Sequence, residues 1–118
     1  MSVVFSELVV DAEDVPALAE FWRQVLDWDA TVHGDDIELA PPDGSMPTIL
    51  FTAVPEAKTV KNRLHIDVSP ALDSDQATEL NRLLALGAHV IDIGQGEPTW
   101  HVLADIEGNE FCLLRTPR

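Results

Sequence analysis

The order strand, helix, strand, strand, strand occurs twice in this chain of 118 residues, with a spacing of roughly sixty. A period of half the chain means two copies of one supersecondary unit, and it constrains the fold more than any single motif. In the first copy the β-branched run at residues 3–10 predicts a strand. Asp14 then offers a helix N-cap, and Pro16 suits the first turn, where its missing N–H costs little. Val15, Leu18, Trp22, Val25 and Leu26 recur on one helical face. Strands follow at 28–33, 37–40 and 48–54, separated by the turn 33–36 and the loop 41–47.

The second copy opens with a strand at 63–69. Asp73 is expected to start the second helix, with Gln76 completing a capping box. Ala77, Leu80, Leu83 and Leu84 form its apolar stripe, and Gly87 ends it as a left-handed residue. Strands at 88–93, 100–104 and 110–114 follow, joined by turns at 94–98 and 105–109. The last strands of the two copies echo one another, Ile49-Leu50-Phe51 against Asn109-Glu110-Phe111.

The fold class expected is α+β, with two βαβββ modules: module 1 at about 1–54, a polar linker at 55–62, and module 2 at about 63–118. A four-stranded sheet with a helix on one face leaves its other face bare, so two such modules are expected to form a cupped mixed β-sheet with the helices outside. Strand alternation then sorts side chains. Leu64, Ile66 and Val68 belong toward the second helix, which puts His65 and Asp67 inside the cup. Phe111 and Leu113 belong with the helix, which turns Glu110, Cys112 and Leu114 inward. In the first strand Phe5, Glu7 and Val9 share the face opposite Leu8 and Val10.

Composition narrows the partners. Seven Lys+Arg against 21 Asp+Glu give a formal charge of −14, which argues against nucleic acid and against an anionic membrane surface, since both require a basic footprint. No stretch approaches the roughly 18 apolar residues of a membrane span. The N-terminal residues carry no basic region of the kind that opens a signal peptide. The single cysteine, Cys112, excludes an intramolecular disulfide and a thiolate zinc cluster. A cytoplasmic protein is the expectation. No serine sits in a nucleophile elbow, and Gly94-Gln95-Gly96 lacks the third glycine and following helix of a phosphate loop.

Several segments together resemble the vicinal oxygen chelate superfamily, the glyoxalase/bleomycin-resistance/extradiol dioxygenase-like proteins. They are Leu18-Ala19-Glu20-Phe21-Trp22 with Leu26-Asp27-Trp28, then Asn62-Arg63-Leu64-His65-Ile66-Asp67-Val68, then Leu86-Gly87-Ala88. The most specific is Trp100 through Leu113, including Asp105-Ile106-Glu107-Gly108-Asn109-Glu110-Phe111, where Ile106 stands at a position the family usually gives to proline. The resemblance implies a small-molecule ligand, a homodimer and, in many relatives, a divalent metal. Carried over position by position, it implies Glu7, His65 and Glu110 as ligands, with Glu7 or Glu110 doubling as the proton carrier. Leu50 falls at the fourth ligand position by the offset of the last strands. Mn, Mg, Ni, Fe and Zn all suit such a donor set, and the implied reactions are isomerase, lyase or dioxygenase steps on an oxygenated substrate.

Each of these residues also has a plainer reading. Glu7 is either a ligand or an acid neutralised by Arg63 or His65, because an unpaired buried carboxylate is costly. His65 beside Asp67 is either a ligand or a hydrogen-bonded strand residue. Glu110 is either a functional acid or a rim acid. Phe5, Asp67, Trp100, His101 and Cys112 are candidate pocket residues, with Trp100 equally a core residue, the face of His101 undecided, and Cys112 equally a small buried hydrophobe. Lys58, Lys61 and Arg63 cluster three of the seven positive charges, which are either paired with nearby acids or available to an anionic substrate. The alternative to an enzyme is a metal-free binding or sequestration protein of the bleomycin-resistance type.

Overall fold

The computed structural model describes residues 2–92, 94 and 99–118. The chain divides into two compact units, Met1–Ala57 and Lys58–Arg118. Each unit holds a four-stranded mixed sheet and one helix, an α+β architecture.

In the first unit β1 (Glu7–Ala12), α1 (Val15–Leu26), β2 (Asp29–His33), β3 (Asp36–Ala40) and β4 (Thr48–Ala53) follow in chain order. The sheet order is β1-β4-β3-β2, with β1 parallel to β4 and the other pairs antiparallel. Asp14 caps α1 by accepting the Ala17 N–H at 3.1 Å, and Pro16 lies in the first turn. The helix buries Val15, Leu18, Ala19, Phe21, Trp22 and Val25. Phe21 and Trp22 meet edge to face at 5.6 Å between ring centroids. Leu26, expected on the stripe, is only half-buried, and Phe21 replaces it in the core. The first strand begins at Glu7 rather than residue 3. Its partner β4 begins at Thr48, opposite Glu7, so Val3, Val4 and Phe5 precede the ladder and lie exposed.

The second unit repeats the topology with β5 (Ile66–Val68), α2 (Gln76–Leu86), β6 (His89–Val90), β7 (His101–Ala104) and β8 (Glu110–Leu113) in the order β5-β8-β7-β6. Here β5 runs parallel to β8. In the ladder Phe111 and Leu113 pair in register with Ile66 and Val68, while Cys112 pairs with Asp67; all three β8 residues are buried. Leu64 departs from the expected alternation. The residue precedes β5 and is 82% exposed, so it does not join the buried set.

The helix α2 starts two residues later than a cap at Asp73 requires. Asp75 is the N-cap, accepting the Thr78 N–H at 2.8 Å. The Gln76 side chain makes no capping box. Its amide donates instead to the carbonyls of Thr99 (3.0 Å) and Leu113 (3.3 Å), tying the helix start to the end of β8. Of the predicted stripe only Leu83 is buried, with Leu80 half-buried and Ala77 and Leu84 exposed. Ile93 and the turn 94–98, Gly94 apart, fall outside the described residues.

Gly87 ends α2 with φ +116°, and a Cβ there would stand 3.0 Å from Cγ2 of Ile106. Both the left-handed backbone and the close approach favour glycine. Gly87→Ala is expected to cost about 1–2 kcal/mol, read as a lower urea midpoint with an unchanged slope.

Candidate functional site

The parallel pair β5/β8 assembles the second unit's polar group. Asp67 and Cys112 are register partners, so their side chains leave the same face of the sheet side by side. His65 lies two residues before Asp67, the interval that returns a side chain to one face of an extended chain. Its Nε2 is 3.3 Å from Oδ1 of Asp67. One ligand atom from each of His65, Asp67 and Cys112 lies within 4.8 Å of the others. His65 and Asp67 are exposed and Cys112 is buried. Burial pushes the Cys112 thiol pKa up, and the Asp67 carboxylate, which accepts its S–H, pushes it the same way against a weaker pull from Lys61.

Glu110, the first residue of β8, is engaged elsewhere. Lys58 Nζ donates to Oε1 at 2.9 Å and the Asn62 backbone N–H donates to Oε2 at 3.0 Å. The ion pair is largely sheltered, the two side chains being 20% and 11% exposed. Burial raises the Glu110 pKa, but the Asn62 N–H and the Lys58 ammonium outweigh it and hold the group below its ordinary 4.5. Lys58 thus belongs to the paired-charge reading of its cluster. Asn62 acts through its backbone, which no residue type announces.

A carboxylate held below its unfolded pKa stabilises the fold above that unfolded value and loses the contribution as pH falls through the folded value. Lys58→Met is therefore expected to lower stability by about 1–2 kcal/mol at pH 7, the cost of leaving a sheltered carboxylate with one partner. The gap to the parent protein should close as pH falls from 5 to 3. Urea titrations at stepped pH, with a chelator present, read this directly; a gap independent of pH would assign the loss to the lysine stem alone.

Of the other candidates, Glu7 and Phe5 belong to the first unit and Trp100 and His101 to the second. Glu7 is the exposed first residue of β1, and register sets it beside Thr48, whereas Leu50 stands beside Val9. Phe5 precedes β1 and is exposed. Trp100 precedes β7, also exposed. His101 pairs in register with Leu113, which places it on the face opposite Cys112; Val102 is the β7 residue beside Cys112.

The turn that delivers β8 is built on Asp105, which is 1% exposed. Its Oδ1 accepts the backbone N–H groups of Glu107 (2.9 Å) and Asn109 (3.0 Å), and the Asn109 side-chain amide donates to both carboxylate oxygens. Gly108 N–H donates to the Asp105 carbonyl at 3.0 Å, closing the turn. Such side-chain-to-backbone bonds are what aspartate supplies in place of further ladder. Ile106, at the position of the expected proline, is exposed and leaves this network intact.

A family model described as a glyoxalase-like domain matches residues 7–114. The chain belongs to that family. The fold of this glyoxalase-like protein is shared by the fosfomycin resistance protein FosX of Mesorhizobium loti, at TM-score 0.72 and 16% identity over 97% of this chain and 92% of that one. It is shared by a glyoxalase/bleomycin resistance protein/dioxygenase family enzyme of Burkholderia phytofirmans, at TM-score 0.69 and 19% identity over 92% and 94%. A mutant FosX of Listeria monocytogenes, complexed with Mn(II) and 1S,2S-dihydroxypropylphosphonic acid, matches at TM-score 0.69 and 15% identity over 100% and 93%. No curated protein sequence matches. At these identities the likeness is one of fold. Among the described residues, no helix is long and apolar enough to cross a membrane.

Proposed function

We propose that this glyoxalase-like protein binds a divalent cation through His65 and acts on an oxygenated small molecule by an isomerase, lyase or dioxygenase-type step. The observation that carries this reading is the His65 imidazole, exposed at the head of β5 with the Asp67 carboxylate 3.3 Å away. In sequence it precedes Ile66, whose register partner Phe111 follows Glu110. Imidazole with carboxylates suits Mn, Ni, Fe, Zn or Mg. Such a cation, when bound, supplies Lewis-acid polarisation of vicinal oxygens.

This chain's own residues divide the remaining work. Glu110, kept anionic by Lys58 and Asn62, is the ligand and proton acceptor the resemblance assigns, and it takes those roles as Lys58 releases it. The resemblance also assigns a ligand to Glu7, which Glu7→Gln tests by itself. The Mn(II)-bound relative supports divalent chemistry in this fold.

The test is the metal content of protein purified without chelator, followed by binding of added Mn, Ni, Zn and Fe. One equivalent is expected, lost in His65→Ala and weakened in Glu7→Gln and Glu110→Gln. Light scattering on the same samples is expected to read a homodimer. A protein that binds none of these ions sinks the reading in favour of a second one, metal-free small-molecule binding. That second reading draws on Glu110, whose two oxygens already have partners.

A further inference from the structure

His65, Asp67 and Cys112 come together in the second unit, a set that shares only His65 with the ligands the family resemblance implies. We infer that His65, Asp67 and Cys112 form a nitrogen–oxygen–sulfur site for a thiophilic divalent cation of the zinc or cobalt type. The inference deepens the proposed function, on which its use of His65 rests, but replaces the remaining ligands with two others.

Three observations support it. Cross-strand register fixes Asp67 beside Cys112, so the carboxylate and the sulfur are neighbours by backbone geometry rather than by a chance rotamer. The Asp67 carboxylate lies between the other two, its Oδ1 3.3 Å from Nε2 of His65 and its residue the register partner of Cys112. All three ligand atoms lie within 4.8 Å of each other. A tetrahedral ion with bonds of about 2.0–2.3 Å needs donors about 3.3–3.8 Å apart. Closing that gap takes about 1 Å of side-chain movement, and two of the three residues are exposed and able to swing while Cys112 stays fixed in β8.

The donor set selects the ion. Thiolate with imidazole favours zinc, cobalt or copper over magnesium and manganese, which prefer all-oxygen surroundings. Three protein ligands leave a coordination position for water or substrate, as in catalytic rather than structural zinc sites. On binding, the thiol proton passes to solvent, the sulfur takes up the ion as thiolate, and the His65–Asp67 contact gives way to ligation. The plainer account is an exposed ion pair of little energetic weight beside a neutral buried thiol.

Cobalt(II) separates these, because a cobalt–thiolate bond has a strong near-ultraviolet charge-transfer absorption. Titration of the full chain, reduced and metal-free, is expected to saturate at one equivalent with that band present. Zinc should bleach it and excess magnesium should not. Cys112→Ser and Cys112→Ala should lose the band. Asp67→Asn should weaken binding by at least about tenfold, since even outer-sphere partners of metal ligands cost about 10–100-fold. Glu56→Gln, at an exposed acid outside the group, should leave the band unchanged. Thermal melts confirm that each variant is folded at the titration temperature. Cobalt bound without the band, and lost in Glu110→Gln, overturns this site and leaves the proposed function standing. No binding of cobalt or zinc by the parent protein overturns this site; the manganese, nickel and iron titrations above then decide the proposed function separately.

Discussion

Asp105→Ala is expected to melt about 10–15 °C below the parent protein. The carboxylate is buried and accepts two backbone N–H groups and both contacts of the Asn109 amide. Removing it leaves two main-chain donors without their acceptor. Each such loss costs about 1–3 kcal/mol when the donor stays shielded, and less where water reaches it. Exposed Ile106 and Gly108 flank the turn, so a total of about 3 kcal/mol is expected. For a chain of this length 1 kcal/mol moves the melting temperature by about 3–5 °C. Against a total stability of about 5–15 kcal/mol the loss is large.

The conservative partner makes the prediction specific. Asp105→Asn keeps an oxygen for the Glu107 and Asn109 N–H groups and loses only one end of the Asn109 contact, which should cost about 1 kcal/mol. If calorimetry finds both variants within about 0.5 kcal/mol of the parent, the turn holds without its carboxylate and the network is incidental. The result also bears on function, because Glu110 and Cys112 are carried by the strand this turn starts. Loss of metal binding in Asp105→Ala at a temperature where the protein remains folded would show that the turn sets the position of β8.

The residues that were legible in the sequence are those whose structure depends on near neighbours. Asp14 and Pro16 announce α1, and Gly87 announces the end of α2. What was not legible depends on a partner distant in the chain. Residues 3–5 have the composition of a strand, but β4 offers no residue before Thr48 for them to pair with. Asp73, Ser74 and Asp75 are all cap-forming types, and the choice of Asp75 goes with a Gln76 side chain held by the carbonyls of Thr99 and Leu113. His101 has no face until its register against Leu113 is known. The same limit applies to the candidate site. Alternation puts His65 and Asp67 on one face of an extended chain, yet only the β5/β8 register makes Asp67 the neighbour of Cys112, and only the fold brings Lys58 onto Glu110.

Phe111→Ala is expected to be the most damaging single truncation in the second unit, at about 3–5 kcal/mol. Phe111 is 1% exposed and stands in register between Ile66 on one side and Leu103 on the other. Deleting its ring loses the transfer energy of the removed carbons and leaves a cavity that rigid strands on both sides cannot close. Phe111→Leu, which keeps most of the volume, should cost about 1–1.5 kcal/mol. Urea denaturation of the pair reads the difference, and equal losses in the two would mean that the site collapses around the smaller residue. The leucine variant has a second use. It destabilises β8 from the face opposite Cys112 while leaving His65, Asp67 and the thiol in place, so it should retain the cobalt–sulfur band at full stoichiometry. If it loses the band as Cys112→Ser does, then the band reports the integrity of the strand, and ligation by the thiol is no longer what the cysteine variants measure.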